Sequence, residues 1–151
     1  MDMEKFYRKY VWDEGRTPYL VPVARMTRRQ AEYEMLFYAV ITGVLFALIA
    51  LLSLLPDLPH GDTRIVSLFA FTQVCAALLL GATCSIGAAL YCASAPLAAL
   101  LYFALFGFHP NLGTGDKTLL LAAMVLWVGY CWRLQAVARA YPTLAQTHGQ
   151  I

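Results

Sequence analysis

The sequence predicts an all-α, polytopic membrane protein with four transmembrane helices and an N-terminal cytoplasmic arm. Residues 65–108 contain no Asp, Glu, Lys, Arg or His. As one straight helix this 44-residue run would be about 66 Å long, roughly twice the ~30 Å hydrocarbon core of a bilayer, so it must turn back on itself. The whole chain is 60% hydrophobic and only 13% charged, whereas about a quarter of the residues in a soluble domain are charged.

These patterns divide the chain into an arm at 1–34, a transmembrane domain at 35–141 and a disordered cytoplasmic tail at 142–151. The apolar side chains of residues 1–12 recur at helical spacing. This fits an amphipathic helix on a membrane surface or a partner, and the alternative is a frayed, solvated terminus. Residues 17–23 contain two prolines and should therefore be extended.

The first span begins at a capping signal. Thr27 and Gln30 fit the S/T-x-x-E/Q signature, in which each side chain satisfies a backbone amide of the other. Between the second and third spans we expect a turn near 84–88, which no charge marks. The alternative is a re-entrant segment broken at Pro96. The four spans are expected at about 35–55, 65–84, 89–108 and 118–137.

The distribution of Lys and Arg predicts that both termini are cytoplasmic. Seven of the eleven lie in the first 29 residues, whereas the polar loops 56–64 and 109–117 hold one each. A re-entrant third segment would place Arg133 and Arg139 on the other side, which the same rule disfavours. Arg133 is expected to snorkel to the interface. Without a signal peptide or lipidation motif, we expect a multi-pass protein of a bacterial inner membrane.

The spans lack the residues that catalysis or charge transport needs. No ionisable side chain lies in the interior of any predicted span, which argues against proton relays, voltage sensors and ion-coupled transporters. All histidines lie in loops or the tail, so no axial ligands for a haem are available at membrane depth. We predict no enzymatic activity and no cofactor. The net charge of +2 and the mixed charges of the arm predict no nucleic-acid partner.

His60 and His109 are the weak metal candidates. They belong to two polar loops on the same predicted side, and imidazoles with a nearby carboxylate can bind Zn²⁺ or Cu²⁺. The two loops offer no ligand spacing typical of a metal motif, so solvated loop histidines are the favoured interpretation. The cysteines have no charged neighbours and should behave as small hydrophobic residues: Cys75, Cys84, Cys92 and Cys131.

Small residues are the main packing signal inside the spans. Two parallel rows recur at four-residue spacing: Gly81, Ser85, Ala89 and Ala93, and beside them Ala88, Cys92 and Pro96. Such rows let helix backbones approach closely in lipid, within this bundle or against a partner. Thr72 and Gln73 form a polar pair at membrane depth. Gln73 needs a hydrogen-bond partner there, either another helix or a ligand such as a quinone headgroup.

We interpret the sequence as a non-catalytic accessory or assembly subunit of a larger integral-membrane complex. Its arm would dock on partner subunits through Trp12, Tyr19 and Leu20, which a free tail would not need. The alternative is a small oligomeric transporter or channel-like protein for a neutral or lipidic solute, with Thr72, Gln73 and the small residues along its path. Expected partners are other membrane subunits, lipids and a possible second copy of the chain.

Overall fold

The protein is an all-helical bundle in the computed structural model, which describes residues 21–55 and 64–145. No strand occurs in these residues. The helices are α1 (Arg28–Leu52), α2 (Arg64–Thr83), α3 (Ile86–Cys92), α4 (Ser94–Phe106) and α5 (Thr114–Ala140). Within the described residues four stretches are long and apolar enough to cross a membrane, and the third of them comprises both α3 and α4.

The bundle has two different ends. One end, called here the termini end, holds residue 21, the start of α1 and residue 145. There the amide of Arg28 donates a hydrogen bond to the carbonyl of Ala145, and Arg133 near the end of α5 binds the carbonyl of Val21. The loop end carries the start of α2 and the connection between α4 and α5. The capping box is present at the termini end, where Thr27 N donates to Gln30 Oε1 at 2.9 Å and Gln30 N donates to Thr27 Oγ1 at 3.3 Å.

The bundle is packed more tightly near the termini end than near the loop end. The larger core cluster lies towards the termini end and draws on α1, α2, α3 and α5, with Met35, Leu80 and Leu134 fully buried. The smaller cluster lies towards the loop end and contains only Phe46 and two alanines as buried members. Many other large apolar side chains are exposed on the outside of the helices, where lipid tails would cover them.

Small residues bring α1 and α2 close together. A Cβ added at Gly81 would lie 3.2 Å from the Cβ of Ala39, and one added at Gly43 would lie 3.8 Å from the Cβ of Ala77. Each helix therefore contributes two small residues four positions apart, and the pairs face each other in antiparallel order. This is the small-xxx-small pattern of close helix packing in membranes.

The turn between the second and third spans has only two residues, Cys84 and Ser85. Cys84 adopts the left-handed conformation with φ 52°, which ends α2, and its amide donates to the carbonyl of Leu80. A residue other than glycine is uncommon in this conformation and carries a strain of about 1 kcal/mol. Ser85 then caps α3 by accepting a hydrogen bond from the amide of Ala88.

The third span is interrupted at Ala93, between α3 and α4. Pro96 explains the break, because it has no amide hydrogen to donate to the carbonyl of Cys92 and its ring would clash with that carbonyl in a continuous helix. The chain nevertheless continues through α4 to Phe106, so that residues 86–106 are together long enough to span a membrane.

The described part of the predicted tail is packed rather than free. Residues 141–143 form a 3-10 turn, and Leu144 packs against the larger core cluster. The hydroxyl of Tyr141 donates to Glu32 Oε1 at 2.6 Å. Residues 142–145 are thus packed on the bundle, because Leu144 contacts the core cluster and the carbonyl of Ala145 accepts from the amide of Arg28, and disorder stays a prediction for the rest of the tail. Residues 146–151 lie outside the described part.

Candidate functional site

A buried ion pair joins the first and last spans. Arg133 of α5 donates to both carboxylate oxygens of Glu34 in α1, from Nε at 2.8 Å and from Nη2 at 3.0 Å. The Glu34 side chain is only 2% exposed and that of Arg133 is 29% exposed. A bidentate guanidinium–carboxylate pair has strict geometry as well as charge, so it fixes the two helices against each other. Snorkelling of Arg133 to the interface stays a prediction, and its pairing with Glu34 is a contact that the sequence analysis did not include.

The same arginine holds the root of the N-terminal arm. Arg133 Nη2 also donates to the backbone carbonyl of Val21 at 3.0 Å. Val23 packs against the larger core cluster and Met26 belongs to it, with 3% exposure. Residue 21, where the described chain begins, is therefore held in a fixed position at the termini end. Trp12, Tyr19 and Leu20 precede this point and lie outside the described residues.

Gln73 and Thr72 bind the interrupted third span. Gln73 is 0% exposed, and its Nε2 donates to Ser94 Oγ at 2.7 Å and to the carbonyl of Tyr91 at 3.4 Å. Ser94 Oγ donates to the same carbonyl, and the hydroxyl of Tyr91 donates to Thr72 Oγ1 at 2.8 Å. These bonds satisfy polar groups at a break in a helix, as membrane depth requires. The pair thus makes a helix–helix contact, and among the side chains of residues 21–55 and 64–145 Gln73 Oε1 is the one buried polar atom without a hydrogen-bond partner.

A second polar cluster joins α1 to α5 closer to the middle of the bundle. Trp127 Nε1 donates to the hydroxyl of Tyr38 at 3.2 Å, and this hydroxyl lies 3.3 Å from Cys131 Sγ. Thr42, one turn further along α1, is 2% exposed. Four polar side chains are therefore gathered where the helices face each other. Their mutual hydrogen bonds offset the cost of placing polar groups in hydrocarbon.

An apolar cavity of about 510 Å³ lies on the loop-end side of Trp127, between α1, α2, α4 and α5. Aliphatic and aromatic side chains form most of its wall, and alanines from α2 and α4 leave its interior open: Ala70, Ala95, Ala98 and Ala99. A groove of about 470 Å³ lies on the other side of Trp127, between α1 and α5. The cavity has the size and apolar lining typical of ligand sites.

The predicted small-residue rows face the interior of this bundle. Gly81 contacts α1, Ser85 caps α3, and Ala89 is fully buried, whereas Ala93 is half-buried at the break. The second row is entirely buried: Ala88, Cys92 and Pro96. The described structure therefore uses both rows for internal packing.

The described residues contain no group of three or more potential metal ligands. His109 is exposed in the connection between α4 and α5, where its Nδ1 accepts a hydrogen bond from the amide of Asn111. His60 lies outside the described residues, so the pairing of the two histidines is not seen.

Sequence reasoning missed the ion pair, and it named a helix contact for Gln73 without its partners at the break of the third span. Glu34 was assigned to the arm and Arg133 to the interface, although their opposite charges flank two spans on the same side. Pro96 is the residue that could have indicated the partners of Gln73. A proline inside a span leaves a backbone carbonyl without its helical hydrogen bond, and a polar side chain at similar depth can supply a hydrogen bond there. The alanines around the cavity carried no signal beyond their size. Compared with protein-family models, curated proteins and solved structures, the chain matches none of them.

Proposed function

We propose that the protein is a non-catalytic accessory subunit of a larger integral-membrane complex and that its N-terminal arm docks on a partner subunit. The observation that carries this proposal is the fixed root of the arm. Arg133 binds the carbonyl of Val21 while Met26 is buried in the core. A segment that starts from a fixed point loses less conformational entropy on binding than one on a free linker.

The polar contacts between the spans support this role over catalysis. Glu34 with Arg133, Gln73 with Ser94, and Trp127 with Tyr38 are each engaged in holding helices together. Such contacts fix a scaffold, and none of these groups faces an enclosed polar pocket in the described residues. The wide apolar outer surface of α5, including Trp132 at 78% exposure, is available to lipid or to neighbouring membrane subunits.

Within this proposal the protein lies in a bacterial inner membrane with both termini in the cytoplasm. Five arginines of the described residues belong to the termini end: Arg25, Arg28, Arg29, Arg133 and Arg139. The loop end carries Arg64 and Lys117. This imbalance favours a cytoplasmic termini end by the positive-inside rule.

The test compares which subunits co-purify with the full chain and with a variant that lacks the arm but keeps the residues of the bundle. The deletion should remove residues 2–20 and keep residue 21 onwards, because Val21 and Met26 belong to the bundle. A matched control deletes residues 146–151 at the same end. After extraction in mild detergent, native mass spectrometry should find defined larger subunits with the full chain and the control, and lose them with the arm deletion. Unchanged partners, or no partners with the full chain, would refute the proposal.

A second candidate function is carriage of a lipidic solute, which the apolar cavity favours. Gln73 is buried in a helix–helix contact, so it does not line the cavity in this arrangement of the helices. Transfer of a fluorescent phospholipid between leaflets of liposomes would measure this activity directly. Transfer rates equal to those of protein-free liposomes would dismiss it.

A further inference from the structure

The wall of the loop-end cavity selects an apolar occupant. Phe46, Phe69 and Phe103 are among the large side chains that line it. The Trp127 Nε1 donor is already used by Tyr38. A buried water needs two to four polar partners, whereas Tyr102 is the one other lining residue with a polar side-chain group. An unfilled cavity would also leave its lining without dispersion contacts on one side. Hydrocarbon chains are the apolar groups that surround a membrane-spanning bundle.

The cavity runs along the helices from the middle of the bundle towards the loop end. On α4 its lining extends from Ala95 to Phe103, a helical rise of about 12 Å. On α2 the lining reaches Ile65, the second residue of that helix. An elongated chain lying parallel to the helices would therefore have its deep end at Trp127 and its other end near the start of α2.

Two cationic side chains lie near the loop end, where that hydrocarbon chain would leave the cavity. Arg64 is exposed and directly precedes Ile65. Lys117 lies on α5 seven residues before the lining residue Met124, and a seven-residue spacing places both on one helix face. Asp116 directly precedes Lys117 in the sequence. Its Oδ2 accepts a hydrogen bond from the amide of Gly113 and so caps α5. In the sequence Asp57, His60 and Asp62 precede Arg64, and they lie outside the described residues.

We propose that this cavity is a binding site for one phospholipid. One acyl chain fills the cavity as far as Trp127, and the phosphate is held by Arg64 at the loop end, where cationic side chains attract lipid headgroups. The site stabilises the loosely packed half of the bundle by supplying the packing that its own side chains leave out. It does not depend on the accessory role proposed above.

Native mass spectrometry of the protein in mild detergent tests the site, with palmitoyl-chain phosphatidylglycerol added to delipidated protein. The wild-type chain should retain one phospholipid. Ala98→Phe places a ring in the cavity and should weaken retention by about tenfold or more. Ala104→Phe is the matched control, because Ala104 is an exposed residue of the same helix that does not line the cavity. It should retain lipid like the wild type.

A second variant keeps the test decisive if the filled cavity disturbs folding. Arg64→Gln changes only an exposed side chain and should weaken retention by about fivefold, the effect of one interfacial cation. Its control is Arg139→Gln at the termini end. No retained lipid in the wild type, or equal retention in all variants, would overturn the proposal. Loss of lipid with partners still bound, or the reverse, would separate this site from the accessory role.

Discussion

At the scale of single residues, the Glu34–Arg133 pair is the most consequential contact of the structure. Removing one partner of a buried pair costs about 3–5 kcal/mol, because the remaining charge is left unpaired. Arg133 keeps some access to solvent, so we expect the lower part of this effect. Solvent can screen part of the charge that remains.

Glu34→Gln should lower the free energy of unfolding by about 3 kcal/mol and lower the thermal midpoint in detergent. Glu32→Gln is the control, since Glu32 is exposed, its ion pair with Arg28 has an N–O distance of 3.7 Å, and a glutamine there can still accept the hydrogen bond from Tyr141. It should change stability by less than about 1 kcal/mol. Replacing both Glu34 and Arg133 by Leu should restore most of the stability. If Glu34→Gln lowered the free energy of unfolding no more than Glu32→Gln, the stabilising role of the pair would be contradicted.

At the scale of helices, close packing of α1 on α2 depends on Gly81. A side chain there would meet Ala39 and Leu36, at 3.2 Å and 3.5 Å from its Cβ. The helices would have to separate to make room, and the opposing small pair at Gly43 and Ala77 would lose contact.

Gly81→Leu should therefore destabilise the protein by about 1–3 kcal/mol through overpacking. Gly129→Leu is the control, because nothing lies within 4 Å of a Cβ added at that glycine, and leucine is a better helix former than glycine. Thermal unfolding followed by the loss of monodisperse protein in detergent would compare the two. Equal midpoints would show that the α1–α2 contact is not tight in the membrane protein.

At this scale the sequence predicts the spans and the capping box but not the contacts between helices. The four spans follow from hydropathy because every helix in lipid must be apolar over a similar length. The capping box at Thr27 is equally local and is present. The break at Ala93 and the contacts of Gln73 depend on which helices are neighbours, which a single sequence does not state. The cavity arises from what several helices fail to fill, so no one segment predicts it.

At the scale of the whole molecule, residues 21 and 145, where the described chain begins and ends, lie at one end of the bundle, as an even number of spans requires. The proposed orientation places that end in the cytoplasm. A green fluorescent protein fused after Ile151 should then be fluorescent in intact bacteria, and a cysteine introduced at Asn111 should react with a membrane-impermeant thiol reagent added outside. A dark fusion with an unreactive cysteine would reverse the orientation.

The ion pair between the first and last spans also has a consequence for biosynthesis. Glu34 and Arg133 are separated by 99 residues, which a ribosome takes about 5–20 s to translate. During this interval the first span is complete while its carboxylate has no guanidinium to bind. Chains that terminate before Arg133 would keep that carboxylate unpaired beside an apolar helix. The last helix thus supplies the partner charge of the first, and the Glu34 carboxylate is paired only when synthesis is nearly over.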